Sequence, residues 1–181
     1  DLVAEELPVE TTPEMRQRAV DFVRQRLRVY LQEEGLRYDV VDAILAERGH
    51  DPYWAAISAP RLQEWVNRPG WMDILNAYAR CRRIVRDIKE TLELRPDDLE
   101  PGASQNLYSA YLRYASELDR DSSVDEVLTA LENLTPAITR FFDEVLVMAE
   151  DPDVRRNRLA LVQHIAALTD GVADLSRLEG F

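Results

Sequence analysis

The chain has 181 residues, 46% of them hydrophobic and 31% charged, a balance that excludes a disordered polypeptide and predicts one domain with a substantial core. Its 34 acidic residues outnumber its 22 basic ones, giving a net charge of −12. That argues against promiscuous nucleic-acid binding, because phosphate affinity is mostly electrostatic. Among the basic residues only Lys89 is lysine; the arginines keep open a local face suited to phosphates and base edges. A single cysteine, Cys81, rules out an intramolecular disulfide framework and fits a reducing compartment. No apolar run approaches the ~18 residues of a membrane span, and the opening DLVAEELPVETTPEM lacks a signal pattern. The chain therefore reads as cytoplasmic. Starting at Asp1 without an initiator Met, it also reads as part of a longer protein, with residues 1–12 a linker from upstream domains and 13–181 a helical domain.

Helical periodicity dominates. Thr12 as a cap and Pro13 at the first position predict a helix with Met15, Ala19, Phe22, Val23, Leu27, Tyr30 and Leu31 inward, ended by Gly35. Its other side carries Arg16, Arg18, Arg24, Arg26 and Arg28, either a solvated face or an RNA-facing stripe. Val40, Val41, Ile44 and Leu45 predict a second helix closed at Gly49. Pro60 predicts an interruption between Pro52 and Asn67, giving a turn or partial helix and then a short helix. A long helix follows from Trp71 to Leu92, and RPDDLEPGAS, residues 95–104, is the clearest loop. Further helices are predicted from Ser104 to Leu118, from Val124 to Leu134 behind Ser123, from a restart at Thr135–Pro136 to Met148, and from Val154 to Ala173. The fold class is all-α, a helical bundle of about seven helices.

Signals of catalysis are poor. Glu47 and His50 have the spacing of a metal-ligand pair on one helix face, but such sites need a second pair and the other histidine, His164, has Leu161 three residues before it. His50–Asp51, flanked by Gly49 and Pro52, reads as a turn, and Cys81 reads as a core residue. No phosphate-binding or dinucleotide-binding glycine pattern and no nucleophile elbow is present. No metal ligand set is predicted.

What remains is arginine. AYARCRRIVRDIK places Arg82, Arg86 and Lys89 on one helix face and Arg80 and Arg83 on an adjacent one, with Tyr78 nearby. Such a strip either holds phosphates and an unstacked base or pairs with acids such as Asp87 and Glu90. A second cluster, Arg155, Arg156 and Arg158, follows directly on Glu150, Asp151 and Asp153. Cations in the first turn oppose the helix dipole by roughly 0.3–1 kcal/mol each, so another interaction must favour them. The choices are pairing with Asp143, Glu144, Glu150 and Asp151 across the turn, or projection toward phosphate.

Taken in order, DFVRQRLRVYLQEEGLRYDVVDAILA, AYARCRRIVRDI, FFDEVLVMAEDPDVRRNRLALV and VADLSRL resemble the C-terminal anticodon-binding domain of the bacterial glycyl-tRNA synthetase beta subunit. The likeness runs from Glu14 to Leu178. Phe141-Phe142-Asp143, Val147-Met148, Asp151 and Asn157-Arg158-Leu159 are its most specific part. In the arginine helix, where family members show a Lys-Arg pair and an Asn-Ile step, this chain reads Arg83-Ile84-Val85-Arg86-Asp87-Ile88. The resemblance implies a bundle of the class shared with arginyl-tRNA synthetase, docking on the anticodon arm of glycine tRNA. It implies no catalytic site and no cofactor in this chain, since glycine, ATP and magnesium belong to the alpha subunit of the full enzyme. The implied partners are glycine tRNA, the rest of the beta subunit and the alpha subunit, with neither membrane nor DNA. The candidate contacts are Arg26, Arg28, Tyr78, Arg80, Arg82, Arg83, Arg86, Arg155, Arg156, Asn157 and Arg158. Tyr78 would stack on a splayed base, and Asp87 or Asn157 would accept from cytosine. The rival reading is a helical module that docks subunits or domains.

Overall fold

The computed structural model describes residues 12–181. Apart from Thr12, the linker expected over residues 1–12 lies outside the described residues. Seven α-helices and no strand are present among those described: α1 Pro13–Glu33, α2 Tyr38–Arg48, α3 Pro52–Val66, α4 Trp71–Val85, α5 Ala103–Tyr114, α6 Val124–Glu144 and α7 Pro152–Ala166. One contiguous core draws on all seven, from Leu31 in α1 through Ile44, Leu62, Leu75, Leu107 and Leu131 to Val162 in α7. Helix α4 packs against both α6 and α7.

Local chemistry sets most helix starts. Thr12, Asp51, Ser123 and Asp151 each accept a hydrogen bond from a first-turn backbone N–H, and Ser123 with Glu126 forms a reciprocal capping box. Gly35 ends the α1 segment at φ 87°, a left-handed conformation that favours glycine. Gly49 has an ordinary φ; there the Arg24 side chain of α1 lies so close that a Cβ would collide with it and with the Leu45 carbonyl.

Two proline interruptions expected from sequence do not occur. Helix α3 runs through Pro60 and α6 through Pro136. Both prolines lie on exposed faces, so the carbonyl each leaves unpaired four residues earlier can turn to water, while Ala55, Ala59 and Leu62, or Leu131, Leu134 and Ile138, anchor the other side in the core. Tertiary burial outweighs the proline penalty here. Four helices stop short of their predicted ends: α5 at Tyr114 instead of Leu118, α6 at Glu144 instead of Met148, and α4 and α7 by more. Helix α4 ends at Val85 instead of Leu92, and α7 at Ala166 instead of Ala173. At the latter end, Tyr78 Oη donates to the Ala166 carbonyl at 3.1 Å and lies 2.8 Å from Thr169 Oγ1, fixing a short 3-10 turn, Ala167–Thr169.

Helix α1 departs from its predicted orientation. Of the apolar residues expected inward, Leu31 is buried and Leu27 partly so, while Met15, Ala19, Phe22, Val23 and Tyr30 face solvent.

Two buried polar groups tie the bundle together. Arg48 at the end of α2 donates to the carbonyls of Gly171 (3.1 Å), Ser122 (2.6 Å) and Arg120 (3.3 Å) and to Ser58 Oγ (3.2 Å). Asp39 accepts from Arg37 Nη2 at 2.6 Å and from the backbone N–H of Val40 and Glu179, both at 3.0 Å, which fastens the C-terminal segment to α2. Burial alone would raise the Asp39 carboxyl; those donors outweigh it and hold it below its ordinary range. Its contribution is therefore complete above the ordinary carboxylate range and is lost as pH falls through the lowered value. Replacing Asp39 by Ala should cost about 3 kcal/mol in urea denaturation at neutral pH. The gap to the parent should narrow as the titration is carried to strongly acidic pH.

Candidate nucleic-acid interface

Between Val85 and Ala103 the chain has one 3-10 turn, Pro96–Asp98, and no other regular structure. Backbone of this kind must find its partners elsewhere, and α7 supplies them. Gln163 accepts from the Leu92 N–H at 2.8 Å and donates to the Glu90 carbonyl at 2.9 Å. Asn157 does the same for Arg95, accepting from its N–H and donating to its carbonyl, both at 2.8 Å. Arg158 extends the attachment to both flanking loops, with Nη2 at 2.6 Å from Glu100 and Nη1 donating to the Leu146 carbonyl at 2.6 Å. Burial would raise the Glu100 carboxyl, but its bonds to Arg158 hold it below the ordinary 4.5.

These contacts give several candidate RNA-binding residues work inside the domain. Asn157 is 7% exposed with both its amide oxygen and nitrogen bonded to Arg95, and the Arg158 side chain is 16% exposed. Tyr78 is 2% exposed, so the ring expected to stack on a splayed base has no open face; burial pushes its phenol up to about 12. Arg155 donates to the Ala149 carbonyl at 3.0 Å, and Arg156 meets both Glu90 carboxylate oxygens at 3.3 and 3.4 Å. The acids expected to balance this cluster from across the turn are therefore replaced by Glu90, Glu100 and two loop carbonyls. Sequence spacing could not reveal Glu90 and Glu100, which lie more than fifty residues away.

The α4 arginines are differently placed. Arg83 is exposed and lies over the Phe181 ring at 5.2 Å. Arg80 lies over Phe142 at 4.6 Å, with Asp143 at 3.3 Å. Arg86, its side chain 72% exposed, meets the still more open Asp87 at 3.5 Å. Arg82 reaches Asp170 at 3.3 Å. On α1, Arg26 lies over Phe22 at 5.4 Å and Arg28 is 3.0 Å from Asp42. Exposed ion pairs of this kind contribute about 0–1 kcal/mol, so phosphate can replace the acid at little cost. Arg82 and Arg86 also border a cleft of about 350 Å³ with Val85, Ile88 and Ala166 among its apolar lining and Gln163 and Asp170 among its polar lining. A second cleft of about 230 Å³ joins Arg95 and Arg156 to Glu93, Asp98 and Asp153. Sequence reading missed the rings beneath Arg80 and Arg83, and nothing local pairs Phe181 with α4.

The residues weighed for other chemistry have structural roles. Glu47 accepts from the Gly171 N–H at 2.9 Å. Cys81 is buried, its thiol pushed up to about 12 by desolvation. Among the described residues no group of three His, Cys, Asp or Glu side chains is placed to hold a metal ion, and no helix is long and apolar enough to cross a membrane.

The geometry defines a class: an all-helical domain that carries open arginines on α4 and braces the following loop against α7. Residues 74–173 match the family model described as the DALR anticodon binding domain, and the chain belongs to that family. It is 38% identical over 168 residues to the glycine–tRNA ligase beta subunit of Moorella thermoacetica, covering 91% of this chain and 24% of that protein. It is 34% identical over 167 residues to the beta subunit of Desulforudis audaxviator, with 91% and 24% covered. With the chloroplastic/mitochondrial glycine–tRNA ligase 2 of Arabidopsis thaliana it shares 32% identity over 183 residues, 100% of this chain and 17% of that protein. The chain thus spans a quarter or less of the length of these relatives.

Replacing Asn157 by Ala leaves the Arg95 N–H and carbonyl without their partner and should destabilise the domain by about 1–3 kcal/mol in urea denaturation. Hydrogen exchange should accelerate most at Arg95 and its neighbours. Unchanged exchange there would show that α7 does not hold the loop.

Proposed function

We propose that this domain binds the anticodon arm of glycine tRNA as part of a glycine–tRNA ligase beta subunit. The observation that carries the reading is the anticodon-binding family match over residues 74–173, a segment that contains the α4 arginines and the α7 cluster. The names of the relatives supply the glycine-tRNA side of the proposal. Arg80, Arg83 and Arg86 take the phosphates, because their present partners are exposed and exchangeable. The cleft beside Arg82 and Asp170 admits a splayed base: apolar lining for its face, a carboxylate to accept from a cytosine amino group, and a guanidinium to donate to its carbonyl. The net charge of −12 repels RNA over the rest of the surface and confines binding to this side.

In the whole enzyme, glycine attachment, with its ATP and magnesium, takes place on the alpha subunit, and this domain contributes tRNA selection without a cofactor of its own. Its setting is the cytoplasm. The rival reading, a docking module, is favoured at α1, whose exposed apolar side chains lie outside the matched segment.

Fluorescence anisotropy should show tighter binding to glycine tRNA than to a variant with both anticodon cytosines replaced, with affinity falling as salt rises. Arg83→Ala and Arg86→Ala should each weaken binding to both tRNAs and reduce the log–log salt slope by about 0.7–1. Arg82→Ala should instead shrink the difference between the two tRNAs. Equal binding to both by the parent domain would refute anticodon reading.

A further inference from the structure

Helix α1 is 21 residues long and buries one of them, Leu31, in the domain. It rests on α2 and α3 through Leu27, Leu31 and the pairing of Arg28 with Asp42. Another face carries Met15, Ala19, Phe22, Val23, Val29 and Tyr30, all exposed, with Phe22 at 59%. At 100° per residue these six fall within about 120° of the helix surface, with Arg26 among them and its guanidinium over the Phe22 ring; the stripe is about 22 Å long at 1.5 Å per residue. Scattered exposed apolar residues are ordinary in a folded domain; a continuous row on an amphipathic helix, aimed away from its own core, marks an interface. The charge of α1 is also unlike that of the chain. It carries five arginines against three acids, within a protein of net charge −12.

We propose that this stripe is the seat of further polypeptide from the same beta-subunit chain, presenting an apolar surface rimmed by carboxylates. The length of the relatives supports this occupant. They share most or all of α1 with this chain, since the matched segments cover 91–100% of it, yet three quarters or more of each lies beyond the match. Aliphatic Met15, Val23 and Val29 suit packing against protein better than stacking on bases. Arg18 at the edge of the stripe and Arg26 within it, over Phe22, call for acidic partners. Helix α1 is thus a bracket: its inner side holds the anticodon-binding bundle, and its outer side fixes that bundle to the body of the subunit. The inference rests on the beta-subunit reading of the proposed function.

The test is hydrogen exchange, measured by mass spectrometry on this chain alone and on the full-length subunit that carries it. Peptides covering residues 15–30 should exchange roughly tenfold more slowly in the full-length protein. The double substitution Phe22→Asp, Val23→Asp should abolish that difference while leaving the melting temperature of the isolated chain unchanged, because both side chains are exposed there. Equal exchange in the two proteins would overturn the proposal. Protection that grows with concentration in the isolated chain would assign the stripe to a second copy, and protection that appears only on adding glycine tRNA would assign it to RNA; either overturns it. Binding of glycine tRNA, read on the same samples, separates the two claims: lost anticodon preference with the α1 protection intact removes the proposed function and leaves this surface in place.

Discussion

The side-chain amides of Asn157 and Gln163 hold a stretch of chain that cannot hold itself. From Glu90 to Arg95 the backbone has left α4 and not reached the 3-10 turn, and its hydrogen bonds go to these two residues of α7. An amide side chain presents one donor and one acceptor side by side, the same pair that a neighbouring strand would offer, so each residue closes a small ladder with the loop. Arg158, bonded to Glu100 and to the Leu146 carbonyl, then locks α7 to the loops before α5 and after α6. The early end of α4 follows from this arrangement, and so does the position of Arg86 at its open end. The proposed RNA-facing side depends on residues whose polar groups are bonded within the domain.

The arginines fall into two groups. Arg155 and Arg158 on α7 and Arg48 at the end of α2 donate to carbonyls and carboxylates that the fold brings together, and Arg48 spends its guanidinium on four groups from three segments. Those along α4 lie over rings or beside exposed acids, where water screens the pairing. Strongly held guanidinium groups set the shape, and loosely held ones remain exchangeable. This division lets an acidic domain present a small cationic surface without general attraction to nucleic acid.

Much of the fold was legible in the sequence because its signals are local. Thr12 with Pro13, Gly35 and Ser123 marked helix ends that the structure places there. Pro60 and Pro136 misled because their cost is local while the burial that outweighs it is not; only the packed structure shows that both rings face solvent. The same limit applied to the site. Periodicity identified the apolar stripe of α1 but not the direction it would face, and the Asn157–Arg158 motif stood out without the loop it braces. Tyr78 beside a row of arginines looked like a stacking platform; its hydroxyl instead caps the end of α7 from within the core.

The central claim is that the surface around α4 and α7 engages the anticodon arm of tRNA. Hydroxyl-radical footprinting of glycine tRNA bound to the domain tests it most directly. The account predicts protection confined to the anticodon stem and loop, with the acceptor end cleaved as in free tRNA. Protection of the acceptor arm, or a diffuse footprint over the whole molecule, would contradict it.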